Sequence, residues 1–275
     1  MTSTATPGTL ASTSIRARKH IITMAAKGGC FIGAAFSCVD LLTVIYSRFL
    51  RIDPNDPRNR ERDFFILSKG HAAPALYAVL AERGFFPIER LAHHLSANDF
   101  IYWHPNTRIP GVEMNTGSLG HGLSVAIGVA LSAKLDGSFT RVVVLLGDGE
   151  LQEGSIWEAA LVAASKKLDN LTAVIDRNRI QANLQTEDLS PLEPLREKFS
   201  SFGWSPRTVD GHDLSQILST LNEVPFQHGR PSVIIANTVR GKGIASLEGR
   251  VDKWFVEFSD EEAKRAVEEL EEYYR

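Results

Sequence analysis

Asp148 and Asn178 are the two residues whose types and spacing point most directly to chemistry. Asp148 lies between Gly147 and Gly149, directly after the apolar run Val142-Val143-Val144-Leu145-Leu146. Asn178 follows a second run, Leu171-Thr172-Ala173-Val174-Ile175. Each run has the length of a buried parallel strand. An alanine-rich stretch between them reads as a helix. Two adjacent strand ends then each present one oxygen at the same sheet edge, where open α/β sheets take their ligands. A carboxylate, an amide oxygen and nearby carbonyls suit a hard cation such as Mg²⁺ or Ca²⁺, and Mg²⁺ held by few protein groups completes its shell with phosphate oxygens and water. The pattern therefore reads as a metal that clamps a diphosphate. Gly147 and Gly149 let the backbone approach the phosphates closely. The bland alternative is that Asp148 caps the next helix and Asn178 makes a turn.

These strand ends need a scaffold. Residues 14–27 suggest one helix, and Asp40 to Leu50 continue a second. Asp53-Pro54-Asn55-Asp56-Pro57 is a turn-rich break. Asp63 to Leu67 reads as a strand ending at Ser68-Lys69-Gly70-His71, and Ala72 to Glu82 as a helix stopped by Gly84. Residues 96–116 look like loop, and Gly122 to Lys134 like a small-residue helix that packs closely on a sheet. After the Val142 strand come a helix at Ser155 to Lys166, the Leu171 strand, and an irregular stretch to Pro194. A helix at 194–201, a strand near Ser205 to Val209, a helix at Leu214 to Glu223 and a last strand at Ser232 to Ala236 follow. Ser259 to Arg275 has a serine N-cap and alternating charge, which predicts an exposed helix. Strands alternating with helices predict an α/β fold, a parallel sheet with helices on both faces.

The chain has 275 residues, enough to bury a real core. Its net charge of −3 suggests neither nucleic acid nor a membrane surface as partner. Cys30 and Cys38 make no disulfide framework and have no metal spacing, so they read as reduced residues of a cytoplasmic protein. Residues 1–13 lack the features of a secretory signal and read as a disordered tail. Residues 14–275 read as one domain. No apolar stretch approaches the length of a membrane span.

Gly147-Asp148-Gly149 followed by Asn178 is similar to the thiamine-diphosphate fingerprint. The words around it narrow the likeness. Gly147-Asp148-Gly149-Glu150-Leu151-Gln152-Glu153-Gly154, then Trp157-Glu158-Ala159, then Ile175-Asp176-Arg177-Asn178, resemble transketolases. So do Ser68-Lys69-Gly70-His71-Ala72, His104-Pro105, Thr116-Gly117-Ser118-Leu119-Gly120-His121-Gly122 and Gly241-Lys242-Gly243, in the same order, over roughly residues 14–260. The resemblance implies the diphosphate-binding domain of the thiamine-diphosphate-binding fold. It implies thiamine diphosphate and Mg²⁺ as cofactors, with Ca²⁺ or Mn²⁺ able to substitute. The metal ligands would be Asp148, Asn178 and the backbone carbonyl of Ile180.

By the same resemblance His71 lies near the diphosphate or the reacting carbon, and His104 bonds the donor's C1 hydroxyl. Gly117, Ser118 and Leu119 contact the cofactor rings. Glu153 and Glu158 link to a partner's catalytic glutamate in a proton-sharing network, since neighbouring carboxylates couple their titrations. The competing readings are structural: satisfied histidines, a glycine-rich helix start, a solvated helix face.

The chain has room for the first of three transketolase domains. It therefore reads as the N-terminal subunit of a split transketolase, catalytically incomplete alone. A C-terminal subunit would grip the pyrimidine and supply the activating glutamate, in an α2β2 assembly. The expected reaction transfers a two-carbon ketol unit from a ketose donor to an aldehyde acceptor. Two readings compete: decarboxylation of an α-keto acid followed by acyl transfer, and a non-catalytic regulatory subunit.

The chain departs from the family at two positions. A family histidine in a Gly-His-Pro-Gly or Gly-His-Ile-Gly word falls on Phe31, and one that follows a tryptophan falls on Phe255, next to Trp254. Phenylalanine makes no strong hydrogen bond. A wall that loses two imidazoles predicts a less polar, deoxygenated or α-keto-acid substrate. The alternative is that other residues replace these histidines and substrate use is ordinary.

Overall fold

Val142 to Gly147 form a strand in which every residue is buried, and Leu171 to Arg177 form another beside it. Strands buried on both faces need helices on both faces. The computed structural model describes residues 7–275, with side chains from Leu10 onward, and supplies them. Helix α1 (Pro7–Ala25) is followed by α2 (Ile32–Val44), which runs into a π-helical turn at Ile45–Phe49. Strand β1 (Phe64–Leu67), α3 (Ala73–Glu82), α4 (Gly122–Leu135), β2 (Val142–Gly147), α5 (Gly154–Ser165) and β3 (Leu171–Arg177) come next. A small hairpin, β4 (Ile180–Gln181) and β5 (Leu184–Gln185), leads into the single turn α6 (Thr186–Leu189). The chain then runs through α7 (Leu195–Ser201), β6 (Ser205–Asp210), α8 (Leu214–Asn222), β7 (Ser232–Asn237) and α9 (Asp260–Tyr273).

The five long strands pair in the order β1-β2-β3-β7-β6, all parallel. Alternate side chains of β2 point to opposite faces, as a pleat requires. Val143 and Leu145 join a core with Ile21, Phe36 and Leu76 from α1, α2 and α3. Val142, Val144 and Leu146 join a second core with Ala126, Ile156 and Phe199 from α4, α5 and α7. This is the expected α/β architecture. The parallel order brings the ends of β1, β2, β3 and β7 together at one edge, and the loops that follow them carry Lys69, Asp148, Asn178 and Arg240.

Three expectations need correction. Residues 7–13, read as tail, belong to α1. Pro7 stands at the first helical position, where its fixed φ suits the helix and its missing N–H costs nothing, and Leu10 is buried in the core. Residues 1–6 lie outside the described residues. Helix α2 starts at Ile32 rather than Asp40; its thirteen residues are all buried, so it lacks the amphipathic period that marks a surface helix. The stretch to Pro194, read as irregular, contains the β4–β5 hairpin. Ser259 caps α9 through a full capping box with Glu262, as its sequence suggested. Among the described residues only Ile32–Phe49 is long and apolar enough to cross a membrane, and it is 89% buried in the fold. Both cysteines are free and buried.

Candidate active site

Asp176, at the end of β3, is fully buried and ties the strand ends together. Its carboxylate accepts from Ser37 Oγ of α2 at 2.5 Å, from Lys69 Nζ after β1, from Thr238 Oγ1 after β7, and from Asn178 Nδ2 at 3.3 Å. Burial alone would raise its pKa. The Lys69 charge and these donors outweigh burial and hold the carboxyl below its ordinary range. Asn178 is thereby oriented from both sides, since its Oδ1 accepts from Ile180 N at 3.0 Å.

Asp148 follows β2 and is almost fully buried. Its carboxylate accepts from Gly149 N at 2.8 Å, Arg179 N at 2.5 Å and Arg177 Nη1 at 3.0 Å. Burial and the nearby Asp176 charge nevertheless push its pKa up. A buried carboxylate in that state gains from an added cation. Among the described residues no three His, Cys, Asp or Glu side chains converge on one point, so a cation at Asp148 must take neutral oxygens as well.

Asp148 and Asn178 open onto a cleft of about 370 Å³, within the range of small-molecule sites. Phe31, Lys69, His71, His104, Gly117, Leu119, Gly147, Gly149, Glu153, Ile180, Arg240 and Trp254 also line it. The structure thus brings together nearly every residue singled out from the sequence. Ser118 is outside the lining, and Glu158 lies further along α5, also outside it. Glu153 stands at the N-cap position of that helix without a side-chain cap bond and lines the cleft.

Gly117 has φ +148°, and a Cβ there would stand 2.7 Å from the His104 ring, so the glycine lets His104 lie against the cleft floor. Tyr77 Oη donates to the His104 carbonyl at 2.7 Å and fixes that loop. His71 sits in a short turn before α3. Burial, the Lys69 cation and His104 push its pKa down to about 3, which keeps the imidazole neutral. His104 is shifted down as well, by burial.

Two residues of the site were not picked out from the sequence. Glu150 is buried and accepts from Ser68 Oγ, Gly120 N at 2.9 Å and Gly147 N at 3.1 Å, so one carboxylate joins three of the sequence words. Burial raises its pKa. Arg240 is only 2% exposed, and its Nη1 donates to the Ala182 carbonyl at 2.9 Å. Its Nε and Nη2 have no partner among the described residues. A buried guanidinium with idle donors in a cleft is suited to an anion. The signal was available: a basic residue at a strand's carboxyl end, directly before Gly241-Lys242-Gly243.

A diphosphate with a divalent cation fits this donor set. Asp148 and Asn178 would offer oxygens to such a cation, and the idle donors of Arg240 would suit phosphate oxygens. Gly149 leaves no room for a side chain, since a Cβ would meet Gln181 at 2.6 Å.

One wall of the cleft is aromatic. Phe31 lies 5.8 Å from the His71 ring, 6.5 Å from His104 and 5.3 Å from Trp254, centroid to centroid. Phe255 packs on Phe31 from behind and on Trp103, outside the lining itself.

Comparison with known proteins gives a consistent picture. The family described as the transketolase thiamine diphosphate binding domain matches residues 10–270. The chain is 41% identical over 241 residues to a 6-deoxy-6-sulfo-D-fructose transketolase subunit of Clostridium sp., covering 87% of this chain and 88% of the relative. It is 42% identical over 260 residues to an apulose-4-phosphate transketolase subunit of Actinobacillus succinogenes, covering 94% of each. Among solved structures, transketolase from Leishmania mexicana superposes with a TM-score of 0.87 at 25% identity, over 98% of this chain but 42% of that one. The chain therefore spans less than half the length of that transketolase.

Proposed function

The chain belongs to the transketolase thiamine diphosphate binding domain family, and from that premise we propose that it is the cofactor-binding subunit of a two-chain transketolase. The chain from α1 onward acts as one diphosphate-binding domain. A separate chain grips the pyrimidine and supplies the activating glutamate, in an α2β2 assembly. The pair moves a two-carbon ketol unit from a ketose to an aldehyde. Its two reduced, buried cysteines are in keeping with work in the cytoplasm.

The observation that carries the reading is the meeting, at one sheet edge, of a buried carboxylate, an oriented amide and a buried guanidinium with idle donors. Asp148, Asn178 and the Ile180 carbonyl would hold Mg²⁺, and Ca²⁺ or Mn²⁺ could take the same oxygens. Gly147, Gly149 and Arg240 would receive the diphosphate, and Gly117, Ser118 and Leu119 would flank the rings. When bound, the cofactor supplies the carbon nucleophile and electron sink of the transfer. The neutral His71 can hydrogen-bond at the reacting end of the cleft, and His104 can take a donor hydroxyl. Glu153 and Glu158 would face the partner's glutamate and share its proton.

The substrate is less polar than an ordinary ketose phosphate at the end that meets Phe31. That ring stands beside both histidines and itself offers a hydroxyl no partner, where an imidazole would.

The test uses this chain co-purified with its partner, Mg²⁺ and thiamine diphosphate. Turnover of ketose phosphates, 6-deoxyketoses and pyruvate is followed in parallel, with Asp148→Ala as control. Cofactor-dependent turnover of a ketose supports the reading. Turnover of pyruvate alone would replace it with keto-acid decarboxylation, and no turnover with tight cofactor binding would leave a regulatory subunit.

A further inference from the structure

We propose that His212 is a positioning residue for the cofactor's diphosphate: it holds the turn after β7 so that the Arg240 side chain faces the cleft. The inference rests on the reading of Arg240 as a diphosphate-binding group.

Past the end of β7 the Val239 N–H has no strand to pair with. It donates instead to His212 Nε2 at 2.8 Å. A backbone N–H can only donate, so Nε2 must be the unprotonated nitrogen and Nδ1 carries the proton. That proton points at Asp40 Oδ2, 2.8 Å away. Asp40 is itself immobile. It accepts from Arg18 Nη1 at 2.9 Å and Nη2 at 2.8 Å, and from Ser14 Oγ. The same Arg18 donates through Nε to the Lys242 carbonyl at 3.2 Å. One buried cluster therefore grips the turn on both sides of Arg240, through His212 at Val239 and directly at Lys242.

The local sequence fits this task. Gly211 has no Cβ, and one would collide with Thr238 Cγ2, so the loop carrying His212 lies flat against the turn. His212 N donates to Asp210 Oδ1 at 2.8 Å, which fixes the ring's origin. On the far side Gly241 N donates to the Gly33 carbonyl at 3.0 Å, and a Cβ on Gly33 would stand 2.8 Å from Arg240 Cγ. The Arg240 side chain is thus confined to a slot whose direction the turn sets. Carboxylate–histidine pairs that orient a third group are a recurrent way to position binding residues. Here the oriented group is a backbone N–H, one residue before the side chain that meets the ligand.

The experiment measures Mg·thiamine diphosphate affinity by calorimetry on this chain assembled with its partner. The variants are His212→Ala, Arg240→Met and the double mutant, together with a crystal structure of the His212→Ala chain. Each single change should weaken binding on the order of tenfold, and the double mutant should be no weaker than Arg240→Met alone, because coupled residues are not additive. His212→Gln, whose Oε1 can still accept from Val239, should restore affinity, and His212→Asn, which can reach only Asp40, should not. Losses that multiply in the double mutant would overturn the proposal. So would a His212→Ala structure with the Val239–Lys242 turn and Arg240 unmoved. Unchanged affinity in Arg240→Met would instead sink the assignment of Arg240 to the diphosphate, and the crystal structure alone would then decide the role of His212.

Discussion

Phe31 and Phe255 meet nearly edge to face, ring centroids 5.3 Å apart, with Phe31 in front and Phe255 behind. The pair makes a stiff apolar wall beside His71 and His104. Aromatic contacts of this kind hold both rings in place more firmly than either would be alone. Phe255 also lies against Gly29, in the space that a Cβ there would need. Phe31→His therefore places an imidazole where the wall now offers none. The expected outcome is a shift in kcat/KM toward polyhydroxylated ketose phosphates and away from deoxygenated ones, by about tenfold or more in the ratio. A ratio that stays put would mean that Phe31 does not meet the substrate. Phe255→His, set behind the wall, should change the ratio less.

Asp148 gives a test that separates binding from folding. Its carboxyl is buried and shifted upward, so the charge is a burden to the ligand-free chain. Asp148→Asn keeps an oxygen for the cation and removes the charge. The ligand-free thermal midpoint should fall, because Asn turns an amide N–H toward a buried donor that Asp148 now accepts from, and each protein's cofactor response is read against its own ligand-free value. Wild-type protein at a cofactor concentration a hundred times Kd should gain about 2.7 kcal/mol, and the variant should lose most of that gain. Thermal melts with and without Mg·thiamine diphosphate measure both quantities. An equal cofactor-dependent rise in the two proteins would remove Asp148 from the metal site.

Glu150 makes a prediction about stability rather than binding. Its Oε1 takes the Gly120 N–H and Ser68 Oγ–H, and its Oε2 takes the Gly147 N–H. Glu150→Gln keeps one acceptor oxygen and turns an amide N–H toward a donor. At least one buried group is then left unmatched, at a cost of about 1–3 kcal/mol. Hydrogen exchange should locate the loss at the Gly120 and Gly147 amides. A variant as stable as wild type would show that water replaces the carboxylate there.

The sequence disclosed the strand ends because buried parallel strands write continuous apolar runs, and β2 and β3 do so plainly. It disclosed Asp148, Asn178 and His71 because each follows such a run within a compact word. Helix α2 was only half seen, since a helix buried on every side has no polar face to mark it. The same limit hid Glu150, which reads as one more acidic residue until the fold brings Ser68 and Gly120 to it. His212 was hidden for a different reason. Its meaning lies in contacts that span long stretches of chain, Val239 to His212 and His212 to Asp40, and spacing along the chain does not record them.

His71 supplies the last prediction, a pH dependence whose sign is fixed by its surroundings. Its ordinary value is 6.5, and burial, with Lys69 and His104 helping and Asp176 opposing, lowers it in the fold to about 3. Between those values the unfolded chain binds a proton that the folded chain refuses. Stability therefore rises with pH across that window and falls on acidification below the ordinary value. One such group contributes at most about 1.4 kcal/mol per pH unit. His71→Gln carries no titrating group, so its stability should decline less between pH 7 and pH 5. Urea unfolding of both proteins at the two pH values measures the difference of differences, which also cancels the contributions of His94 and His104. If the two proteins lose stability equally, His71 takes up its proton in the fold as readily as in the unfolded chain. A neutral imidazole beside Phe31 would then not be a fixed property of this cleft.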